Sequence, residues 1–302
     1  MTTKKKAKGV PGKILGIWEA QKLIANDTMF IANSWDIDPA TGIIYSGGGT
    51  AGTSTNYDSA SYKYDLKTIS LSQAFSFGRY CSYPNVIFDN GKVYLVAGNL
   101  QSSSTQAYLN IRTLSPPALD QVSGLNYAYR HTRGFILNGV LHQIGGVVST
   151  GGVTIGVYTY DLATGVVTSR GNGLSSAQYI QNTGRGVLYN GKYYFSRGGS
   201  TANNLLMVYD PATYKVTTLN TPPLSMAGES LALIGDNIYV RASVTQIGVY
   251  NIPAGTWSYL DAPNGPSTTS NGDCLWFFYD NSLWFKYTGT TNTDLRRFWR
   301  LY

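Results

Sequence analysis

A two-residue turn signal between β-rich runs recurs along this chain at a near-constant interval, and that recurrence constrains the fold more than any other feature. Asn90-Gly91, Asn138-Gly139 and Asn190-Gly191 are strict copies; Thr41-Gly42, Asp236-Asn237 and Asn281-Ser282 are related pairs at matching places. Their first residues are 49, 48, 52, 46 and 45 apart. Asn-Gly marks a type I′ hairpin because both central residues of that turn need φ > 0.

Other residues keep the same beat. Glycines follow the first four turns at Gly47 to Gly49, Gly98, Gly145-Gly146 and Gly198-Gly199, which implies a crowded strand end. Tyr64, Tyr160, Tyr209 and Tyr250 each precede an Asp or Asn, and Leu71, Val167, Val216 or Trp257 follows seven residues after each tyrosine. A shared turn geometry explains that spacing. Each unit of roughly 50 residues thus supplies about four strands, and such a sheet cannot bury both of its faces alone. The expected fold is all-β: a six-bladed β-propeller of four-stranded antiparallel blades over residues 28–302, with a short N-terminal arm over residues 1–27.

Composition agrees. Gly (34) and Tyr (24) are abundant, 43% of residues are hydrophobic, and only 13% are charged, which suits short strands and tight turns. Cys81 and Cys274 lie far apart, form no Cys-x-x-Cys, and read as small buried hydrophobes. No secretory h-region and no long apolar span occurs, so synthesis in a reducing cytoplasm without membrane insertion is expected. Of the net charge of +7, five lysines within the first 13 residues account for most. The remainder holds 18 basic and 16 acidic groups, so a solvated basic tail is expected and no specific nucleic-acid partner.

The last unit runs through "CLWFFYDNSLWFKYTG" and "LRRFWRLY" and ends one strand short. Propellers avoid an open edge by borrowing a strand from the other terminus. The run "KILGIW", Lys13 to Trp18, is the expected donor, and "EAQKLIA" after it is expected to form a short helix that docks on a partner. Ile17, Trp18, Leu23 and Ile24 are the expected assembly contacts.

The repeats resemble the kelch repeat, best in "AYRHTRGFILNGVLHQIGG" and "VYNIPAGTW". The second unit departs from it with "YLNIRTLSPP" in place of Tyr-Asp, and the fifth and sixth lack Gly-Gly. The segment "GIWEAQ", Gly16 to Gln21, resembles a short element of bacteriophage tail-fibre and other virion proteins. That resemblance implies a place in a virion, with the arm binding other virion proteins and the propeller facing a protein or a host-surface glycan.

Chemistry is sparsely signalled. His131 and His142 lie eleven residues apart, too few for a metal site, and a structural role is expected for both. No Gly-x-Ser-x-Gly elbow, phosphate loop or sialidase-type Asp box occurs. Asp65, Asp161, Asp210 and Asp236 are expected to cap turns. Near the innermost strands stand Arg79, Arg130, Arg133, Arg185, Glu229 and Asp273, the candidate binding residues of a central channel, where cations could take a carboxylate or sulfate. The competing expectation is that they bond carbonyls and acids of neighbouring blades. Tyr57, Tyr83, Tyr127 and Tyr179 are loop candidates for stacking on sugars. The expectation is a non-enzymatic virion protein without cofactor or metal; the alternatives are a polysaccharide-degrading tail enzyme and a cellular kelch-type scaffold.

Overall fold

The recurring turns adopt the backbone their residues favour. In the computed structural model, φ is positive at both members of Asn90-Gly91, Asn138-Gly139 and Asn190-Gly191, between 46° and 75°. Residues 18–23, 34–47, 60–76, 81–82, 85–96, 99–100, 107–125, 129–130, 132–148, 152–175, 180, 184–197, 205–219, 230–242, 246–261, 274–287 and 297–301 are described. Three turns sit differently from the expected frame. Unit five turns on Gly235-Asp236, unit six on Asp280-Asn281, and unit one on a four-residue loop from Pro39 to Gly42. Three turn-forming residues stand in a row at Gly235-Asp236-Asn237 and at Asp280-Asn281-Ser282, and strand register selects the first two.

The strands follow unit by unit. An N-terminal strand, β1 (Trp18–Leu23), precedes unit one, which comprises β2 (Ser34–Asp38), β3 (Ile43–Gly47), β4 (Ala60–Asp65) and β5 (Ser70–Ser76). Unit two has β6 (Cys81–Ser82), β7 (Asn85–Asp89), β8 (Lys92–Val96), β9 (Asn99–Leu100), β10 (Ala107–Leu114) and β11 (Pro117–Leu125). Unit three has β12 (Tyr129–Arg130), β13 (Arg133–Leu137), β14 (Val140–Val148), β15 (Val153–Asp161) and β16 (Val167–Asn172). Unit four has β17 (Val187–Tyr189), β18 (Lys192–Ser196), β19 (Leu206–Asp210) and β20 (Lys215–Thr218). Unit five has β21 (Ala232–Ile234), β22 (Asn237–Arg241), β23 (Gln246–Asn251) and β24 (Thr256–Asp261), and unit six β25 (Cys274–Tyr279), β26 (Ser282–Tyr287) and β27 (Arg297–Leu301).

Each unit forms an antiparallel sheet, and together the sheets make a β-propeller. Five sheets are four-stranded, whereas that of unit three has five strands, and β6 and β9 form a separate two-stranded ladder. Against the expected six four-stranded blades, five four-stranded blades are found, and the sheet of unit three departs from that form. There the first strand is broken: β13 pairs β14 over Val140 to Ile144, and β12 pairs the same strand further on, at Val147 and Val148. Gly145, at the bulge between, has φ +56°, and a Cβ there would lie 3.2 Å from both Ile180 and Leu174. This is one of the glycines expected at a crowded strand end.

The tyrosine spacing is a register. Tyr64 faces Leu71, Tyr160 faces Val167, Tyr209 faces Val216 and Tyr250 faces Trp257 across the two outer strands of their sheets. All four tyrosines are buried. The residue after each holds the turn between them. Asp65 accepts from the Lys67 and Thr68 N–H groups, Asp161 from Ala163 and Thr164, Asp210 from Ala212, and Asn251 from Ala254. Asp236 differs, accepting a bond from the Tyr189 hydroxyl of the preceding unit at 2.7 Å.

The core lies between sheets. Ile87, Tyr94 and Leu109 of unit two pack on Leu141 and Tyr160 of unit three. Phe135, Ile144 and Val157 of unit three pack on Phe195, Met207 and Tyr209 of unit four. The first and last units also meet, Trp35, Ile44 and Tyr64 packing on Phe277 and Trp284. Trp35 and Phe277 stand edge to face with centroids 5.6 Å apart.

The last sheet has the order β1-β27-β26-β25, so an N-terminal strand completes it. The donor differs from the expected one. Trp18, Glu19 and Ala20 pair with Leu301, Arg300 and Trp299, so "WEAQKL" is a strand where a helix over "EAQKLIA" was expected. Seven residues hold a helix poorly in water, while the open edge of β27 offers a ladder of hydrogen bonds. Of "KILGIW", only Trp18 falls in the strand; Lys13 to Ile17 and Ile24 lie outside the described residues. Removing residues 1–23 should lower Tm by about 5 °C or more and promote aggregation, while removing residues 1–12 should leave Tm unchanged. Thermal unfolding of both truncations checks this.

Candidate functional site

Strand pairing aligns the six inner strands residue by residue. Counting back from the last paired residue before each turn, the next position carries Ile37, Phe88, Ile136, Leu188, Leu233 and Phe278, one from each unit. All six line one cavity of ≈370 Å³. Its polar wall is made by Asp36, Asn85, Asp89 and Arg185.

Asp36 is the hub of that wall. It sits two residues before the strand end, where the other units carry Ile87, Phe135, Val187, Ala232 and Phe277. Its carboxylate accepts from its neighbour Ile37 N–H at 2.8 Å and from Phe88 N–H of unit two at 2.9 Å. The Arg185 Nε–H of unit four donates to Asp36 Oδ1, forming an ion pair. The Arg185 guanidinium also lies 5.8 Å from the centre of the Trp35 ring. Asp36 thereby ties three units together.

Arg133 occupies the register position of Arg185, and it works differently. It is 1% exposed. Its Nη2 donates to Ser196 O at 3.0 Å, its Nε to the same oxygen at 3.4 Å, and its Nη1 to Gly184 O. These carbonyls belong to unit four, so Arg133 is an interblade strut. The expected bonding to carbonyls of a neighbouring blade is what Arg133 shows; Arg185 instead bonds an acid of unit one, which is not its neighbour in the ring. Of the other expected site residues, Arg130 lies in β12, and Arg79, Glu229 and Asp273 lie outside the described residues. Tyr57, Tyr83, Tyr127, Tyr179 and His131 do too. Trp18 and Leu23 lie in β1.

Two cavity groups keep unused hydrogen-bonding capacity. Asn85 is 6% exposed, and its Nδ2 has no hydrogen-bond partner among the described residues. The amide fills the space over Gly134, where a Cβ would come within 2.6 Å of Nδ2. The Asp89 carboxyl, at the end of β7 in the cavity lining, accepts no hydrogen bond and forms no ion pair among the described residues. Burial, and then the negative charge of Asp36, push its carboxyl above the usual carboxylate value. Asp36, Asn85 and Asp89 escaped the sequence reading, although a lone Asp in an apolar register position was a signal at Asp36.

His142 is a core residue on β14. Its ring stacks on Phe135 with centroids 4.9 Å apart, and its Nδ1 is 3.1 Å from the Tyr209 hydroxyl. Burial, helped by the Arg170 guanidinium, pulls its pKa from 6.5 down to about 4. Burial likewise raises the Tyr209 phenol. Among the described residues, no three His, Cys, Asp or Glu side chains converge as a metal site would require.

No family model matches the chain, and no curated protein sequence matches it. What the fold defines is a β-propeller with a mixed apolar and polar axial cavity.

Two predictions follow from these side chains. Arg133→Leu should cost about 3 kcal/mol of stability, because a buried and a half-buried carbonyl lose a charged donor, and Arg133→Lys should restore only part of it. Urea unfolding reads both. The His142 imidazole stays neutral in the folded chain where the unfolded chain takes up a proton, so stability should decline as pH falls from about 6.5 towards 4. His142→Gln should remove that part of the slope, measured as Tm against pH.

Proposed function

We propose that the protein is a non-enzymatic bacteriophage virion component. In this reading it is a kelch-like propeller of six blades, with the broken-strand sheet of unit three as one of them. Its N-terminal arm joins it to other virion proteins, and the propeller binds a protein partner or a host-surface glycan. The observation that carries the non-enzymatic reading is the use of the axial arginines. Arg133 is bonded to carbonyls of the next unit and Arg185 to Asp36, so these two described inner-strand cations serve blade-to-blade cohesion. The virion placement draws on "GIWEAQ", whose Trp18 to Gln21 lie in the strand that completes the last sheet, and on the lysine-rich start before it. No helix among the described residues is long and apolar enough to cross a membrane.

Immunodetection in purified particles tests this. The full chain should co-purify with particles, and a chain lacking residues 1–12 should fold but stay out of them. Normal incorporation of that truncation would remove the anchoring role, and absence of the full chain from particles would overturn the virion reading. Release of oligosaccharides from host capsule or lipopolysaccharide would make the protein a polysaccharide-degrading enzyme instead.

A further inference from the structure

The cavity on the propeller axis holds two charges that are paired, Asp36 and Arg185. Outside that pair stand a buried amide N–H of Asn85 and the Asp89 carboxyl, neither with a partner among the described residues. An anionic ligand would meet Asp89 with no free cation beside it. A cationic ligand would satisfy Asp89 and leave the Asn85 N–H turned on a positive charge. A hydroxyl suits both, because it accepts from an amide and donates to a carboxylate.

Geometry sets the length of the ligand. Asn85 and Asp89 begin and end β7 and lie on the same face, so their Cα atoms are about 13 Å apart on an extended strand. One sugar ring falls short of that span, and two linked rings match it. Between them the lining includes the apolar side chains Phe88 and Phe278 beside the Asp36–Arg185 pair, which gives a sugar both C–H and hydroxyl partners. At ≈370 Å³ the cavity stands near the lower end of the range for ligand pockets, about 300–1,000 Å³. Nδ2 is turned away from water, and the soft χ2 of Asn lets the amide re-orient towards a ligand oxygen.

We infer that the axial cavity binds a neutral saccharide end of about two rings, held by Asn85 and Asp89 at its ends and by the apolar ring between. The inference rests on the glycan-binding half of the proposed function and moves recognition from the outer loops to the axis.

Ligand-observed NMR and calorimetry with maltose, lactose, cellobiose and chitobiose test it, with glucose, glucuronate and putrescine as size and charge controls. At least one disaccharide should bind more tightly than glucose, glucuronate or putrescine. Asn85→Leu and Asp89→Asn should each weaken that binding about tenfold or more, while Val166→Ser on an exposed turn leaves it unchanged. Asp89→Asn is nearly isosteric at a half-exposed position, so it tests the site even where Asn85→Leu fails to fold. Disaccharide binding that survives both substitutions overturns the axial site and leaves glycan recognition standing on other surfaces. Failure of every disaccharide to bind, or tighter binding of glucuronate or putrescine, overturns the inference, and the particle experiment judges the virion reading separately.

Discussion

A twisted four-stranded sheet with two apolar faces can bury neither by itself, and the structure follows from how this chain solves that problem. Each unit buries one face on its predecessor and the other on its successor, which is why the core is a series of clusters between sheets. The solution works only when the first and last sheets also meet. Trp35, Phe277 and Trp284 make that joint face to face. Strand β1 makes it a second time along the sheet edge, pairing with β27. The two closures are different in kind: one buries apolar area, the other satisfies backbone N–H and C=O groups that an open edge would leave to water.

Polar groups near the axis obey a stricter rule, since a charge there must be paired or bonded to be tolerated. Asp36 meets it with donors from three units, and Arg133 meets it with carbonyls of one. A partly buried ion pair such as Asp36–Arg185 is weak support for stability, because desolvation of the partners offsets much of their attraction. It is better support for register. Asp36 and Arg185 are 149 residues apart, and their meeting ties the first unit to the fourth, a relation that apolar packing between neighbours does not specify.

Much of the local structure was legible because its causes are local. Asn-Gly pairs adopt positive φ by their own chemistry, and the Tyr-Asp spacing reports a turn whose carboxylate caps its own N–H groups. Legibility failed where several local answers were equally good. Gly235-Asp236-Asn237 contains two acceptable turns, and only pairing with β22 selects one. "WEAQKL" suits a helix by propensity and became a strand because β27 needed a neighbour, a tertiary cause invisible in the segment itself. At the site, the arginines could be placed near the axis from the repeat, but their partners could not. Gly184, Ser196 and Asp36 are brought to them by the ring.

The same logic says where a repeat protein keeps its function. Residues that recur in every unit, such as the apolar position of Ile37, Phe88, Ile136, Leu188, Leu233 and Phe278, build the ring and make its wall the same all round. Recognition needs that symmetry broken. It is broken on units one, two and four, by Asp36 in an apolar register position with its partner Arg185, and by Asn85 and Asp89 at the two ends of one strand. Asp36 is consumed in holding the ring. Asn85 and Asp89 are not, and a buried amide N–H left without a partner is a cost that packing alone gives no reason to keep.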